Sequence, residues 1–343
     1  MRIKSLLMAC AAMVVGAGIV PDAVNPVSPA AANAAPMKIA HVVPPGDPRD
    51  LGAHRFKELI ESDKRCSITA TVYPSAQLGS ATDLIEAMQI GSVEAVVLPA
   101  SFLVGFEPLI GLLDFPYFFP TDVTALLKTF EGPAMKALLA ATSEQGVVSL
   151  GVWHTGYKQW TANKPLKAPA DYAGLKARVM PSPVLVEQQK LLGLNPVNMP
   201  FPETYNALQN GTIDAQENPL VTTHVMKFHE VQKHVTMTYH GNLDQLFMVS
   251  KAWYQGLTPD CQTAVKEASD KASELVVAKT EEMTKTAIAD FEKRGVVFNT
   301  LTDAEFKALR EATLPGVEAF FLKQTGDRGK AHLEAFKTEL GLK

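Results

Sequence analysis

The chain has 343 residues, about two domains by length, and 47% of them are apolar, enough for a sizeable core. With 32 basic against 36 acidic side chains it carries a net charge of −4. No basic run is long enough to hold nucleic acid, so that class of partner is set aside.

The chain opens as an export signal. Arg2 and Lys4 precede an apolar stretch, Leu6 to Val20, that is too short to span a bilayer comfortably. Ala32-Asn33-Ala34 fits a small-x-small cleavage site. Residues 1–34 therefore read as a cleaved signal peptide, and the mature chain as periplasmic. Leu7-Met8-Ala9-Cys10 is similar to a lipobox, but too little hydrophobic chain precedes Cys10. Losing 1–34 removes two basic residues and one acidic one, leaving 30 against 35, a net −5. Cys66 and Cys261 remain. Export makes a disulfide chemically possible and geometry decides it; with neither Cys-x-x-Cys nor zinc spacing, two separate thiols are the expectation.

Strand-like and helix-like runs then alternate. "KIAHVV" (38–43), "SITATVYP" (67–74) and "AVVLP" (95–99) read as strands, "LGAHRFKELIESDK" (51–64) and "ATDLIEAMQIG" (81–91) as helices. This is the rhythm of an open, mostly parallel α/β sheet. Residues 121–146 are mostly helical, and "VVSLGVWHTG" (147–156) follows. A Pro-, Ala- and Lys-rich crossing (161–174) leads to a new strand, "LKARVM" (175–180), and a second α/β series, so a boundary is expected near 155. Gln216, Glu217 and Asn218 end a strand at Pro219, which starts a helix over 220–232. From Pro259 to Arg294 runs one helical pattern, capped by Thr258 and about 54 Å long, longer than a small lobe. Thr302 and Glu305 make a capping box for a further helix.

Most chemistry-bearing motifs fail. In "HEVQKH", His229 and His234 lie five apart, about 140° around a continuous helix, and His224, His229 and His234 spread in the same way. They read as solvated or capping histidines, and no metal site is expected. There is no nucleotide fingerprint, phosphate loop, serine elbow or nucleophile–base pair. What remains is recognition chemistry. Arg178, in a strand ending before two prolines, offers a planar fork for a carboxylate or sulfonate, or else a surface salt bridge. Asn218 suits orienting an oxyanion or forming the turn before proline. Lys158, between Tyr157 and Trp160, is either a binding cation or a surface lysine.

Together, "YPSAQLGSATDLIEAMQIGSVEAVV" (73–97), "LKAPADYAGLKARVMPSP" (166–183) and "PFPETYNALQNGTIDAQENPLVTTHVMKFHEVQKHVTMTYH" (200–240) resemble the solute-binding subunits of tripartite ATP-independent periplasmic (TRAP) transporters, the dicarboxylate-binding DctP type. The resemblance runs from Lys38 to about Leu340. It implies an α/β, two-lobed periplasmic binding protein with a central ligand cleft and a long helix crossing both lobes. Lobe I is expected over 35–155 with a return segment at 244–283, and lobe II over 156–243 with a C-terminal segment at 284–343.

By this likeness Arg178 is the carboxylate-binding arginine, Asn218 its polar partner and Phe201 an aromatic that packs on the ligand. Lys158 stands where many members have a second arginine; it keeps the charge and loses the fork. Trp153, His154 and Tyr157 are expected to shape the pocket, and Gln245 to approach it as the chain returns. The first lobe is expected to contribute His41 to Pro44, Ser80 to Thr82, and Pro99 to Ser101, with Ser101 a ligand contact. These loops carry few charges, which argues for a small, simply charged solute. The implied function is capture of a small organic anion, with no cofactor and no catalysis, by a monomer that delivers it to small and large membrane permease subunits. A sensor module for a membrane kinase and a secreted α/β enzyme stay open beside it.

Overall fold

The computed structural model describes residues 35–342; the leader, its cleavage site and Cys10 lie outside the described residues. The first half of the chain supplies β1 (Ala35–Ala40), α1 (Pro48–Ser62), β2 (Ile68–Tyr73), α2 (Ala81–Gln89), β3 (Ala95–Pro99), α3 (Val123–Phe130), α4 (Pro133–Ala140) and β4 (Val147–Tyr157). After Lys158 come β5 (Gln159–Ala162), α5 (Pro169–Tyr172), β6 (Lys176–Val179), α6 (Pro183–Leu191), β7 (Asn195–Asn198), α7 (Thr204–Gln209), β8 (Gln216–Asn218), α8 (Leu220–Val225) and β9 (His234–Met237). The last part is β10 (Asn242–Ser250), α9 (Lys251–Gln255), α10 (Pro259–Lys293), β11 (Val297–Thr300) and α11 (Asp303–Leu340).

The strands form a five-stranded sheet, β2-β1-β3-β10-β4, a four-stranded sheet, β11-β9-β5-β8, and the pair β6-β7. In the larger sheet β1 runs parallel to β2 and β3, and β10 alone is reversed, between β3 and β4. The expected mostly parallel sheet is present, with one returning strand inserted near its edge. Every residue of β3 and β10 is buried, because helices cover both faces. Their side chains alternate between two apolar layers. Val96, Leu98, Leu246 and Met248 join the layer containing α2 and α4, and Ala95, Val97, Phe247 and Val249 join the layer under α1 and α10.

The long helix forms as its sequence pattern indicates. Thr258 accepts a hydrogen bond from the Cys261 amide, Pro259 opens the first turn, and the helix runs for 35 residues. Ala264, Val265, Ala268, Ala272 and Val276 pack it on the larger sheet. Further along, Ala287 and Phe291 pack with Leu220, Val235 and Val296 beside the smaller sheet. One rod thus underlies both sheets. Gly52 of α1 permits the close approach, since a Cβ there would lie 2.3 Å from Val276 and 2.8 Å from Trp153. α11 starts at the Thr302–Glu305 capping box and is kinked at Gly326, whose backbone is non-helical.

The two expected separate thiols are instead one disulfide, Cys66–Cys261, with Cα atoms 5.1 Å apart. The first turn of α10 passes the loop before β2, a proximity that a separation of 195 residues conceals.

Candidate functional site

The chain passes between the two sheets twice, side by side. β4 becomes β5 through Lys158 alone, and β9 returns to β10 through Thr238, Tyr239, His240 and Gly241. The Lys158 amide donates to the Gly241 carbonyl at 2.7 Å, which joins the crossings. Beside them, β8 lies antiparallel to β5, with Gln159 opposite Asn218 and Trp160 opposite Glu217.

Strand alternation explains the run Gln216-Glu217-Asn218. Gln216 and Asn218 share one side, where Asn218 Nδ2 donates to Gln216 Oε1 at 2.5 Å and Gln216 Nε2 donates to Thr161 Oγ1 at 2.9 Å. Glu217 takes the other and meets Lys158 Nζ at 3.3 Å and His240 Nε2 in a short contact. Burial opposes ionisation of Glu217, but the Lys158 charge and the His240 hydrogen bond outweigh it and hold the carboxyl at about 2. Burial also lowers the His240 pKa, so the ring is neutral. Its Nε2–H then donates to Glu217 while Nδ1 accepts from the Thr238 hydroxyl at 2.6 Å.

Arg178 is held by its backbone. Its amide donates to the Ala215 carbonyl at 3.0 Å, and its own carbonyl accepts from Gln189 Nε2 at 3.1 Å. Pro181 and Pro183 follow, and Ser182 caps α6. The guanidinium is buried, 5.4 Å from the centre of the Phe201 ring. Burial lowers its pKa to about 10, with Glu217 pulling the other way, so it stays charged at neutral pH. Its Nε and Nη2 have no hydrogen-bond partner among the described residues.

These groups line a small cavity, ≈ 10 Å³, enclosed by Val42, Arg49, Pro99, Phe102, Arg178, Met180, Phe201, Asn218 and Leu243. It adjoins a second cavity of ≈ 240 Å³ through Val42, Phe102 and Phe201, and Ser80, Ala81, Thr82 and Asn198 to Pro202 line that one. Both combine loops at the ends of β1 and β3 with the ends of β6 and β7, and the smaller one also reaches Asn218 of β8. A larger groove, ≈ 690 Å³, lies between α3, α4, β4 and α10. Its Lys266 is already paired with Asp270, at 2.5 Å, and no group there has the character of Arg178.

Arg178, Asn218 and Phe201 thus come together with Val42 and Pro99, next to Ser80 to Thr82, while Lys158, Ser101, Trp153 and Gln245 stand elsewhere. Lys158 is buried in its ion pair with Glu217. Ser101 donates to Asp114 Oδ1 at 2.5 Å, while Ser182 donates to Oδ2 of the same carboxyl at 2.6 Å. Trp153 belongs to the core under α1 and α10, stacked on Phe247 at 5.1 Å with its indole N–H on the Ser269 carbonyl. Gln245 donates to Thr155 Oγ1 at 3.0 Å, and its Oε1 has no partner among the described residues.

Arg49, not among the expected site residues, also lines the cavity at Arg178. It lies in the first turn of α1, chelates Asp47 through Nε and Nη2 at 2.7 Å each, and reaches Thr222 Oγ1 at 3.2 Å. The first-lobe side is therefore not as uncharged as its loops suggested. Asp47-Pro48-Arg49, an N-cap with proline in the first turn, was the available signal.

The expected helix 220–232 also needs correction. α8 stops at Val225, Lys227 adopts a left-handed φ of 59°, and a short 3-10 turn, Phe228–Glu230, follows. His224 and His229 consequently do not spread apart; their rings stack at 5.3 Å.

Residues 39–324 match the model of the bacterial extracellular solute-binding proteins, family 7. The chain is 36% identical over 293 residues to the C4-dicarboxylate-binding periplasmic protein DctP of Rhodobacter capsulatus, covering 84% of this chain and 86% of that one. A TRAP periplasmic solute-binding protein from Desulfovibrio salexigens with bound orotic acid superposes with a TM-score of 0.86 at 32% identity, over 89% of this chain and 98% of that one. The periplasmic ectoine-binding protein of Halomonas elongata also gives 0.86, at 29% identity, over 90% and 99%. Among the described residues no helix is long and apolar enough to cross a membrane. The chain therefore belongs to the DctP family, the periplasmic solute-binding subunits of TRAP transporters, which are receptors and not enzymes.

Proposed function

We propose that this chain captures a small organic-acid anion by closing a cleft around it and delivers it to membrane permease subunits. The carrying observation is Arg178, a buried, charged guanidinium with two donors lacking any partner among the described residues, facing a cavity lined from both sides. A buried charge without a hydrogen-bonded partner is costly, and a carboxylate supplies the missing acceptors in the planar arrangement that the fork matches. Asn218 orients the same group and Phe201 covers it. Val42, Pro99 and Phe102 close from the other side, and the cavity beside Ser80 to Thr82 takes the rest of the molecule. Lys158 acts one layer back, holding Glu217 and the crossings in place.

The lobes of this reading are residues 35–155 with 244–283 and 156–243 with 284–343; most of the larger sheet lies in the first and the smaller sheet in the second, with β4 and β10 crossing the bounds by two residues each. The mature chain starts after Ala34 and works as a monomer. Closure excludes water and strengthens each charged contact, and the anion shifts the open–closed equilibrium by its differential contact with the two forms.

The chemistry of the relatives' ligands supports a carboxylate: orotic acid carries one and a C4-dicarboxylate two. Native mass spectrometry of the purified chain, followed by a thermal-shift screen of carboxylates and sulfonates, tests the reading. A true ligand raises the melting temperature as its concentration exceeds its dissociation constant, and the Arg178→Ala variant does not respond. A ligand that stabilises both proteins equally would refute the assignment.

A further inference from the structure

We propose that His224, His229 and Asp290 form a divalent transition-metal site, outside the cleft, that takes Zn²⁺. The left-handed Lys227 folds the chain back after α8, so that both imidazoles face the last turns of α10. His224 Nε2 lies 3.2 Å from Asp290 Oδ2, and His229 Nε2 lies 3.6 Å from the same oxygen. One ligand atom from each residue falls within 4.8 Å of the others. Two ligands on a tetrahedral zinc with bonds of about 2.0–2.1 Å stand roughly 3.3 Å apart, so only small ring movements are needed to close the set.

An independent observation points the same way. The His229 side chain is only 3% exposed, and its Nε2 has no hydrogen-bond partner among the described residues. Its Nδ1 faces the Thr223 carbonyl at 3.5 Å, an orientation that favours the tautomer with a free lone pair on Nε2. Phe291 backs the His229 ring at 4.7 Å. His224 and Asp290 are about a quarter exposed, which leaves room for a water as fourth ligand.

Arg294 is the built-in competitor. Its Nε donates to Asp290 Oδ2 at 2.7 Å, and its side chain, half exposed at the end of α10, can leave for solvent when a metal arrives. A bound ion would tie α8, the segment following Asn218, to α10. The proposal does not depend on which solute fills the cleft.

Isothermal titration of chelator-treated mature chain with Zn²⁺ near pH 7.5 tests it. The expected result is saturable one-to-one binding with a raised melting temperature. His229→Ala and Asp290→Asn should each lower the affinity at least about tenfold. Arg294→Gln should raise it, and His234→Ala should leave it unchanged. Circular dichroism checks folding, and His224→Ala, at the more exposed ring, decides the matter if His229→Ala does not fold. Absence of one-to-one binding in both the native chain and Arg294→Gln overturns the site, as does affinity that survives loss of His224 or His229.

Discussion

The Arg178 guanidinium carbon lies 5.4 Å from the centre of the Phe201 ring, and Nε and Nη2 beside it have no acceptor among the described residues. The ring supplies a favourable face for the cation but no hydrogen-bond acceptor for its fork. Arg178→Ala should therefore cost about 3–5 kcal/mol of anion binding, the scale for removing one partner of a buried ion pair. Arg178→Lys should recover little, since it keeps charge without paired donors. Arg178→Met should do the opposite to the ligand-free protein. It removes unmatched polar groups from the interior and should raise the melting temperature while abolishing the ligand response. Calorimetry and thermal melts of the three variants check both halves. Undiminished affinity in Arg178→Lys would show that the fork is not what grips the solute.

Glu217 gives a pH dependence with a defined sign. Its folded pKa is held at about 2 against an ordinary 4.5, so the folded form binds the proton less well than the unfolded one. The stabilisation is complete above about 4.5 and is lost as the pH falls toward 2. Glu217→Gln should flatten the decline of melting temperature across that window. At neutral pH it should lower stability by about 3–5 kcal/mol, because Lys158 is left buried without its counter-ion. Parallel slopes for the two proteins below pH 4.5 would remove Glu217 from the account.

The disulfide should matter for stability more than for recognition. Cys66→Ser with Cys261→Ser, or a reductant, frees a loop of 195 residues in the unfolded chain and should cost about 2–4 kcal/mol. The bridge joins the loop before β2 to the start of α10, and neither cysteine lines the cavities at Arg178. Affinity for the anion should hardly change at temperatures where the reduced protein stays folded. Chemical denaturation and calorimetry of the pair of variants separate the two effects.

Much of this was legible because it is local. The caps at Thr258 and Thr302 and the burial of β3 follow from spacing within a few residues. Arg178, Phe201 and Asn218 were recognisable together because their surrounding motifs resemble a family. What stayed hidden depends on packing between distant segments. Lys158 looked like a ligand-binding cation, yet Glu217, 59 positions away, engages it. Trp153 looked like a pocket residue, yet strand alternation turns it into the layer under α10. The histidine pair was obscured differently: a periodic count presumes an unbroken helix, and the left-handed turn at Lys227 breaks it.

The contact from Arg49 Nη2 to Thr222 Oγ1, at 3.2 Å, joins α1 on the larger sheet to α8 beside the smaller one. Asp47 already neutralises Arg49, so this hydrogen bond adds a charge-assisted link between the two sides without importing a net charge. Thr222 is fully buried, and Thr222→Val keeps its shape while deleting the acceptor. If cleft closure forms this link, the variant should lose about 1.5–3 kcal/mol of closed-state stability, the range for a hydrogen bond to a charged group. The loss should appear in the departure of the solute, because the open form that first meets it lacks the link. Stopped-flow measurements should then find dissociation at least tenfold faster, with association little changed. A dissociation rate equal to that of the native chain would mean that Arg49 and Thr222 stay in contact whether the cleft is open or closed.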